Sequence, residues 1–413
     1  MNEDVTKIYD SFVGELTEWA DKGVLPKSGN QDTAFYLELQ QKRLQERNIR
    51  AVYRFGERKG HEKKSQSHIC WRAQDPNYTV MMVSNDFSKE ARYFRGRDCL
   101  YKEKKDTLLY QVITYLREGS MSGEEQYCCP NCSAISSVKS LLSGCPYCGT
   151  RFRMTDLFPK VTNFFYSDFE ISYNTIRGSK LAGAGLAAAM ILVGMMRAPT
   201  YADRVQIFLS GLFMVPFFSF IGYLMLAIVM MIYSIIHGMA DAPRYFGGNR
   251  ARKKITAFLR EYDSSFSYDY FVSKMVSLLK IILYSGDREN LAVCKAKVED
   301  TAFRDIIDIA YQGTITLNSC QMEGKYCHLD INLYLSNIHD GGRRIYKRND
   351  VFRMKVCKDI SKPQNYGFSI RKIQCGGCGG SFDAAREKYC PYCGREYDMM
   401  EDDWVVLELA QIK

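Results

Sequence analysis

The most specific chemistry in this chain lies in eight cysteines arranged as four CxxC pairs. Cys129-Pro-Asn-Cys132 is followed, after twelve residues, by Cys145-Pro-Tyr-Cys148, and Cys375-Gly-Gly-Cys378, after eleven, by Cys390-Pro-Tyr-Cys393. Two residues between paired cysteines let one tight turn present both sulfurs to one ion, and zinc takes four thiolates in a tetrahedron at about 2.3 Å. Glycine follows Cys148, Cys378 and Cys393, supplying the positive φ with which such turns close, whereas Ser133 follows Cys132. The spacing predicts two structural Zn2+ ions, one held by Cys129, Cys132, Cys145 and Cys148 and the other by Cys375, Cys378, Cys390 and Cys393. Cys128 is an alternative first ligand, although the CxxC register selects Cys129.

Catalytic chemistry is not expected. Four thiolates leave no open position for activating water. A redox CxxC would stand alone at the start of a helix beside a βαβ pattern, which is absent here. His61, His68, His237, His328 and His339 show no paired metal spacing, and no nucleophile elbow, phosphate loop or dinucleotide loop occurs. His328 and Asp330, two apart on a strand, would share a face and could pair as acid and base in a cavity.

The elements that must position these residues occupy 413 residues with a net charge of +9, enough for two ordinary domains and a further region between them. Residues 1–7 are polar and lack the order of a secretory signal. The seven cysteines outside the pairs have no repeating spacing, which suits a reducing compartment better than a disulfide framework. Between the halves, residues 181–196 and 205–236 carry no charge. A spanning helix needs about 20 apolar residues, so two transmembrane helices are expected, at about 179–200 and 205–237, the second accommodated by tilt or a kink near Pro216. Lys160, Arg177 and Lys180 before them, and Arg244, Arg250, Arg252, Lys253, Lys254 and Arg260 after, outnumber Arg197 and Arg204 between them. That bias places both termini in the cytoplasm. Gly183, Ala184, Ala187 and Ala188 give small-xxx-small spacing suited to helix packing in a homo-oligomer. Arg250, Arg252, Lys253 and Lys254 are candidate contacts for anionic lipid headgroups.

The expected fold class is α+β: two soluble regions, each with a zinc ribbon, joined by a two-helix transmembrane hairpin. The divisions are 1–125 (α+β domain), 126–155 (first ribbon), 156–178 (linker), 179–238 (membrane helices), 239–255 (basic linker) and 256–413, with the second ribbon at 374–397. In the first region Val5, Ile8, Phe12, Leu16 and Trp19 mark a helix and residues 32–47 a second. Strands are expected at 51–55, 68–73 and 78–84, and another helix at 106–118. After the membrane helices, Phe271, Met275, Leu278 and Ile282 mark a helix, and Phe303, Ile306 and Ala310 a shorter one. Strands at 313–322, 325–337, 343–359, 367–373 and 403–412 follow, with Asp340-Gly341-Gly342 as a turn. Helices leading into a curved antiparallel sheet describe a cone-shaped domain.

That helix order, the segment Tyr346-x5-Phe352-Arg353-Met354-Lys355 and the closing Asp403-Trp404-Val405-Val406 resemble the domain named after subunit 44 of the mitochondrial inner-membrane translocase, a nuclear-transport-factor-like fold. The ribbon between the last two strands resembles bacterial membrane proteins called zinc-ribbon transport proteins. The resemblance covers 252–413 and implies an integral protein of the bacterial inner membrane that acts as an adaptor, binding a protein, peptide or lipid in a transport role. The mitochondrial protein lacks these spans and ribbons, so chaperone docking does not carry over. The alternatives are a nucleic-acid-binding or regulatory protein, drawing on Arg43, Arg54, Arg58, Lys59, Lys63 and Lys64, or an enzyme using the cone cavity. Charge spread over membrane flanks without an aromatic and basic stripe on one element argues against nucleic acid.

Overall fold

The computed structural model describes residues 2–56, 68–117, 126–132, 134–168, 185, 188–299, 302–362, 364, 366, 369–371 and 373–412. They form two compact units: Met1–Asp168 with Gly247–Lys413, and Phe169–Phe246. In chain order the first unit begins with α1 (Asn2–Lys22), α2 (Gln31–Glu46), β1 (Ile49–Gly56), β2 (His68–Gln74), β3 (Tyr78–Arg95) and β4 (Asp98–Leu116). The first ribbon then supplies β5 (Gln126–Cys128), β6 (Ile135–Ser137), α3 (Val138–Ser143) and α4 (Met154–Leu157), and β7 (Lys160–Asp168) follows. After α5 (Tyr201–Arg260) and α6 (Tyr268–Tyr284) come β8 (Ile306–Glu323), β9 (Tyr326–Asp340) and β10 (Ile345–Asp359). The second ribbon carries β11 (Ile373–Gln374), β12 (Ser381–Phe382) and a 3-10 turn, Met399–Glu401, before β13 (Val405–Gln411).

The first unit is a mixed α/β structure in which the same element order occurs twice. Each copy has two helices, long antiparallel strands, a ribbon, and a last strand returning beside the strand that precedes the ribbon. Both copies contribute to one sheet, in the order β1-β3-β4-β7-β8-β9-β10-β13, with β2 also on β3. The copies meet where β7 runs parallel to β8, Ser167 opposite Tyr311. Lys160 opens β7 twelve residues after Cys148, and Val405 opens β13 twelve after Cys393. In the first copy β1 pairs with the far half of β3, from Ile49 opposite Arg95, and β2 with the near half, from His68 opposite Ser84. In the second copy β8 spans the whole of β9 alone, with a register shift between Tyr311 and Ile315, where Gly313 takes φ +76°. The insertion at 57–67 thus falls where the second copy has only a bulge.

Local chemistry explains the elements. Val5, Tyr9, Phe12, Leu16 and Trp19 bury one face of α1. The Asn30 side chain caps α2 through the Thr33 amide, and Ser267 caps α6 through that of Tyr270. Helix α6 is buried on nearly every side, Phe271, Met275, Leu279 and Ile282 included, because it packs against α2 and β7 of the first copy and β8 of its own. Polar side chains tie the copies together. Gln40 donates to the Ile307 carbonyl at 2.9 Å, Asn163 to that of Ser273 at 2.8 Å, and Tyr53 and Tyr93 donate to the Asp308 carboxylate at 3.0 and 2.7 Å.

Several expectations are corrected. Residues 106–118 are not a helix: 106–116 are strand within β4, whose Thr107, Leu109 and Gln111 are buried in alternation and whose Val112, Ile113 and Thr114 favour a pleated surface. Ile306 and Ala310 lie in β8, where β-branched Ile306, Ile307 and Ile309 are all buried; a strand covered on both faces is apolar at successive positions and so also contains a helical spacing. At 367–373 only β11 begins, at Ile373, and residues 367–368 and 372 lie outside the described residues. The two α+β regions are not separate halves, since they share one sheet and one core.

The transmembrane hairpin is also corrected, and with it the placement as an integral protein of a bacterial inner membrane. Among the described residues no helix is long and apolar enough to cross a membrane. Of the first stretch, residue 185 and residues 188–197 are helical among the described residues. Gly183, Ala184 and Ala187 lie outside the described residues, so the helix-packing motif proposed for an oligomer has no described structure. The second stretch is no separate span but part of α5, which stays helical through Pro216 for 60 residues, about 90 Å. Phe208, Leu209, Phe217, Phe220 and Met225 on this helix are exposed.

Candidate metal centres and an aromatic pocket

Each ribbon brings its four predicted cysteines together. Sγ of Cys129 lies 3.7 Å from that of Cys148, and Cys132 lies 3.7 Å from Cys145. In the second ribbon, Cys375–Cys393 and Cys378–Cys390 are both 3.6 Å apart. All sulfurs within a tetrad lie within 4.8 Å of one another. A tetrahedron with bonds of about 2.3 Å has edges of about 3.8 Å, so the donor sets fit one tetrahedral metal ion each. Cys129, Cys145, Cys375 and Cys390 are buried, while Cys132 and Cys378 are exposed. Cys128 turns away and contacts the Arg371 carbonyl at 3.7 Å, which leaves Cys129 as the ligand.

The turns repeat one hydrogen-bond pattern. The Cys145 amide donates to the Thr150 carbonyl at 2.9 Å, and the Gly149 amide to the Cys145 carbonyl at 2.8 Å. Cys375 with Gly379 and Gly380, and Cys390 with Gly394 and Arg395, make the same pair of bonds. Gly149, Gly379 and Gly394 sit at φ +72°, +74° and +73°, a conformation glycine adopts without a Cβ penalty. Hydrogen bonds prepare some thiols for ionisation. The Thr150 hydroxyl, 3.4 Å from Cys148, brings that thiol down to about 6. The amides of Cys378 and Gly377 do the same for Cys375, also to about 6. Burial pushes Cys129 up to about 12, the bias a bound cation would have to overcome.

Other predicted residues are placed differently. His328 lies 3.6 Å from the buried Cys357 sulfur and 3.6 Å from Glu323, whereas Asp330 is held by Arg353 at 2.5 Å and by Asn318 at 2.9 Å; His328 and Asp330 therefore do not pair. Arg43 is buried against carbonyls and Arg47 pairs with Asp340 at 2.9 Å. Arg43 is thus committed to the fold, as is its neighbour Arg47; Arg54 is exposed on β1, and Arg58, Lys59, Lys63 and Lys64 lie outside the described residues. Arg250, Lys253 and Lys254 are exposed, and Arg252 pairs with Asp269 at 3.1 Å and lies over Tyr268. The expectation of lipid headgroups at these residues rested on the transmembrane hairpin corrected above.

The sequence does not show an open pocket lined by Trp71 of β2 in the first copy together with the α5–α6 connection, α6, the end of β10 and Trp404. Trp71, Tyr270 and Tyr366 pack mutually, with ring centroids 5.0, 5.9 and 5.7 Å apart. Lys274 reaches Asp403 at 2.7 Å, and Lys358, 5% exposed, donates to the Gln364 amide oxygen at 2.5 Å. The lining comes from segments hundreds of residues apart, so no spacing could reveal it; the only local sign was Trp404 in the closing strand segment. No family model, curated protein or solved structure matches the chain. The resemblance to the translocase-subunit domain therefore rests on the residues that suggested it.

Proposed function

We propose that this protein is a zinc-stabilised binding protein, an adaptor that holds a partner or ligand in the aromatic pocket while two structural zinc ions fix its ribbons. The observation that carries the reading is the pocket itself, whose walls come from both copies of the repeated unit and whose Trp71, Tyr270 and Trp404 are positioned by the shared sheet and by α6. Ligand sites are concave, largely apolar and furnished with a few convergent polar groups, and Lys274 and Lys358 are such groups. Zinc fits the tetrads because its full coordination by four thiolates gives a rigid cross-link without reactivity. Each ribbon joins the last two strands of its copy, so the metal would pin β7 beside β4 and β13 beside β10.

The test is a crosslinking capture with the whole chain and with a Trp71→Ala/Tyr270→Ala variant that retains wild-type zinc content and thermal stability. Truncation is unsuitable because it would cut the sheet between β7 and β8. A protein or small molecule held by the wild type and lost from the variant, identified by mass spectrometry, supports the reading. Equal recovery from both contradicts it.

A further inference from the structure

Lys358 is the group in the pocket that most needs an explanation. As a residue Lys358 is 5% exposed, yet among the described residues the hydrogen-bond acceptor of its ammonium is a neutral amide oxygen, that of Gln364. The other two lysines that line the pocket have carboxylates: Lys274 has Asp403 at 2.7 Å and Lys362 has Glu401 at 3.0 Å. Asp263, the one carboxylate of the lining, accepts from the amide and hydroxyl of its neighbour Ser265 at 2.9 and 2.6 Å. An ammonium has three protons to donate, and a buried charge is costly unless it is paired. Burial pushes the Lys358 pKa down, with Asp403 the main opposing charge. Asp263 and Asp402 add weaker opposing charge and Lys274 a repelling one, and the rest of the lining is mainly aromatic, with Leu259, Ser267 and Ile360 among the rings.

We propose that the pocket binds a carboxylate attached to an aromatic or bulky apolar body, the carboxylate meeting Lys358 Nζ and the body lying against Trp71, Phe266, Tyr270 and Trp404. Of the three lysines in the lining only Lys358 lacks a carboxylate at salt-bridge distance, and no arginine is among the described lining residues, which matches a single negative charge. A phosphate, with more charge and more acceptor oxygens, would leave more of both unmatched by one ammonium without the forked donors of arginine. The same chemistry is presented by a free aromatic monocarboxylic acid and by the carboxyl-terminal phenylalanine of a peptide. The inference rests on the binding-protein reading and narrows it to one ligand class.

Two of the three tryptophans, Trp71 and Trp404, line the pocket, so tryptophan fluorescence of the whole, zinc-loaded chain reads occupancy directly. The probes are 3-phenylpropionate, its alcohol 3-phenylpropanol, and a tetrapeptide ending in phenylalanine with a free or an amidated carboxyl. We expect saturable binding of the acid, with the alcohol at least tenfold weaker, and the same ratio between free and amidated peptides if the ligand is a chain terminus. Lys358→Met should reduce acid binding at least tenfold while leaving alcohol binding within about twofold. It should hold or raise the melting temperature, because it replaces a buried charge with an apolar side chain. Acid and alcohol binding alike, acid binding unaffected by Lys358→Met, or no saturable binding of either probe pair would overturn the proposal. If in that case a partner is still lost from the Trp71→Ala/Tyr270→Ala variant, the binding-protein reading survives and only the ligand class fails.

Discussion

Arg43→Met tests whether the two copies of the repeat fold as one body. Arg43 stands on α2 in the first copy and is 3% exposed. Its guanidinium donates to the Leu283 and Tyr284 carbonyls at 3.0 and 3.3 Å and to that of Phe303 at 3.0 Å. Leu283 and Tyr284 end α6, so their carbonyls have no partner within the helix, and a cation there also meets the negative end of the helix dipole. Hydrogen bonds to a charged group contribute about 1.5–3 kcal/mol each. Arg288 also reaches the Leu283 carbonyl, at 3.3 Å, and the Ile306 amide that of Phe303, at 3.2 Å, so part of the loss is covered. Returning a guanidinium to solvent recovers some desolvation energy as well. The net expectation is about 3 kcal/mol of destabilisation. With a urea m-value of roughly 3 kcal/mol per molar, the midpoint falls by about 1 M. The assay is equilibrium unfolding followed by tryptophan fluorescence, since Trp19, Trp71 and Trp404 all belong to the first unit. Lys42→Met, one position away and exposed, serves as control. The reasoning fails if Arg43→Met shifts the midpoint no more than the control, or if the wild-type protein shows separate transitions for its two copies.

Cys148→Ser should lower the metal content from two ions per chain to one, as should Cys393→Ser, each leaving the other ribbon loaded, measured by elemental analysis of purified protein. His339 is fully buried between Asp305 at 2.6 Å and Asp350 at 2.7 Å. Burial alone would lower its pKa, but the two carboxylates outweigh it and raise it. A raised folded-state value means the stabilisation is complete below about pH 6.5, the unfolded value, and is lost as pH rises through the folded value. Urea midpoints should therefore decline above that pH in the wild type, whereas His339→Gln should show a lower midpoint at pH 6 and a flatter profile; parallel profiles for the two proteins would refute the assignment.

The metal centres were legible in the sequence because a CxxC turn is a local object: four residues fix the direction of two sulfurs, and the matching CPYCG halves announce two similar sites. The first helix and the strands at 51–55 and 325–337 were legible from period and β-branched content. The repeat was not recognised, although both ribbons lie twelve residues ahead of a closing strand. Its first copy separates β1 from β2 by residues 57–67, and the C-terminal half of β4 fits a helical spacing as well as a strand, so the element orders read from the sequence differ. Apolar runs misled in two ways. Ile306 and Ala310 fit a helical face by spacing, but β-branching decided for the strand. The charge-free run 205–236 satisfies a length rule for membrane helices, yet it lies in the N-terminal part of a 60-residue helix, and among the described residues no helix is long and apolar enough to cross a membrane. The pocket was invisible because Trp71 and Trp404 become neighbours only through the sheet.

The most direct test of the account is the metal itself. Elemental analysis of the whole chain purified without added metal, combined with zinc-edge X-ray absorption, should give two zinc ions per chain in an all-sulfur shell at about 2.3 Å. Fewer than one ion per chain, another metal in its place, or nitrogen or oxygen ligands in the shell would contradict it.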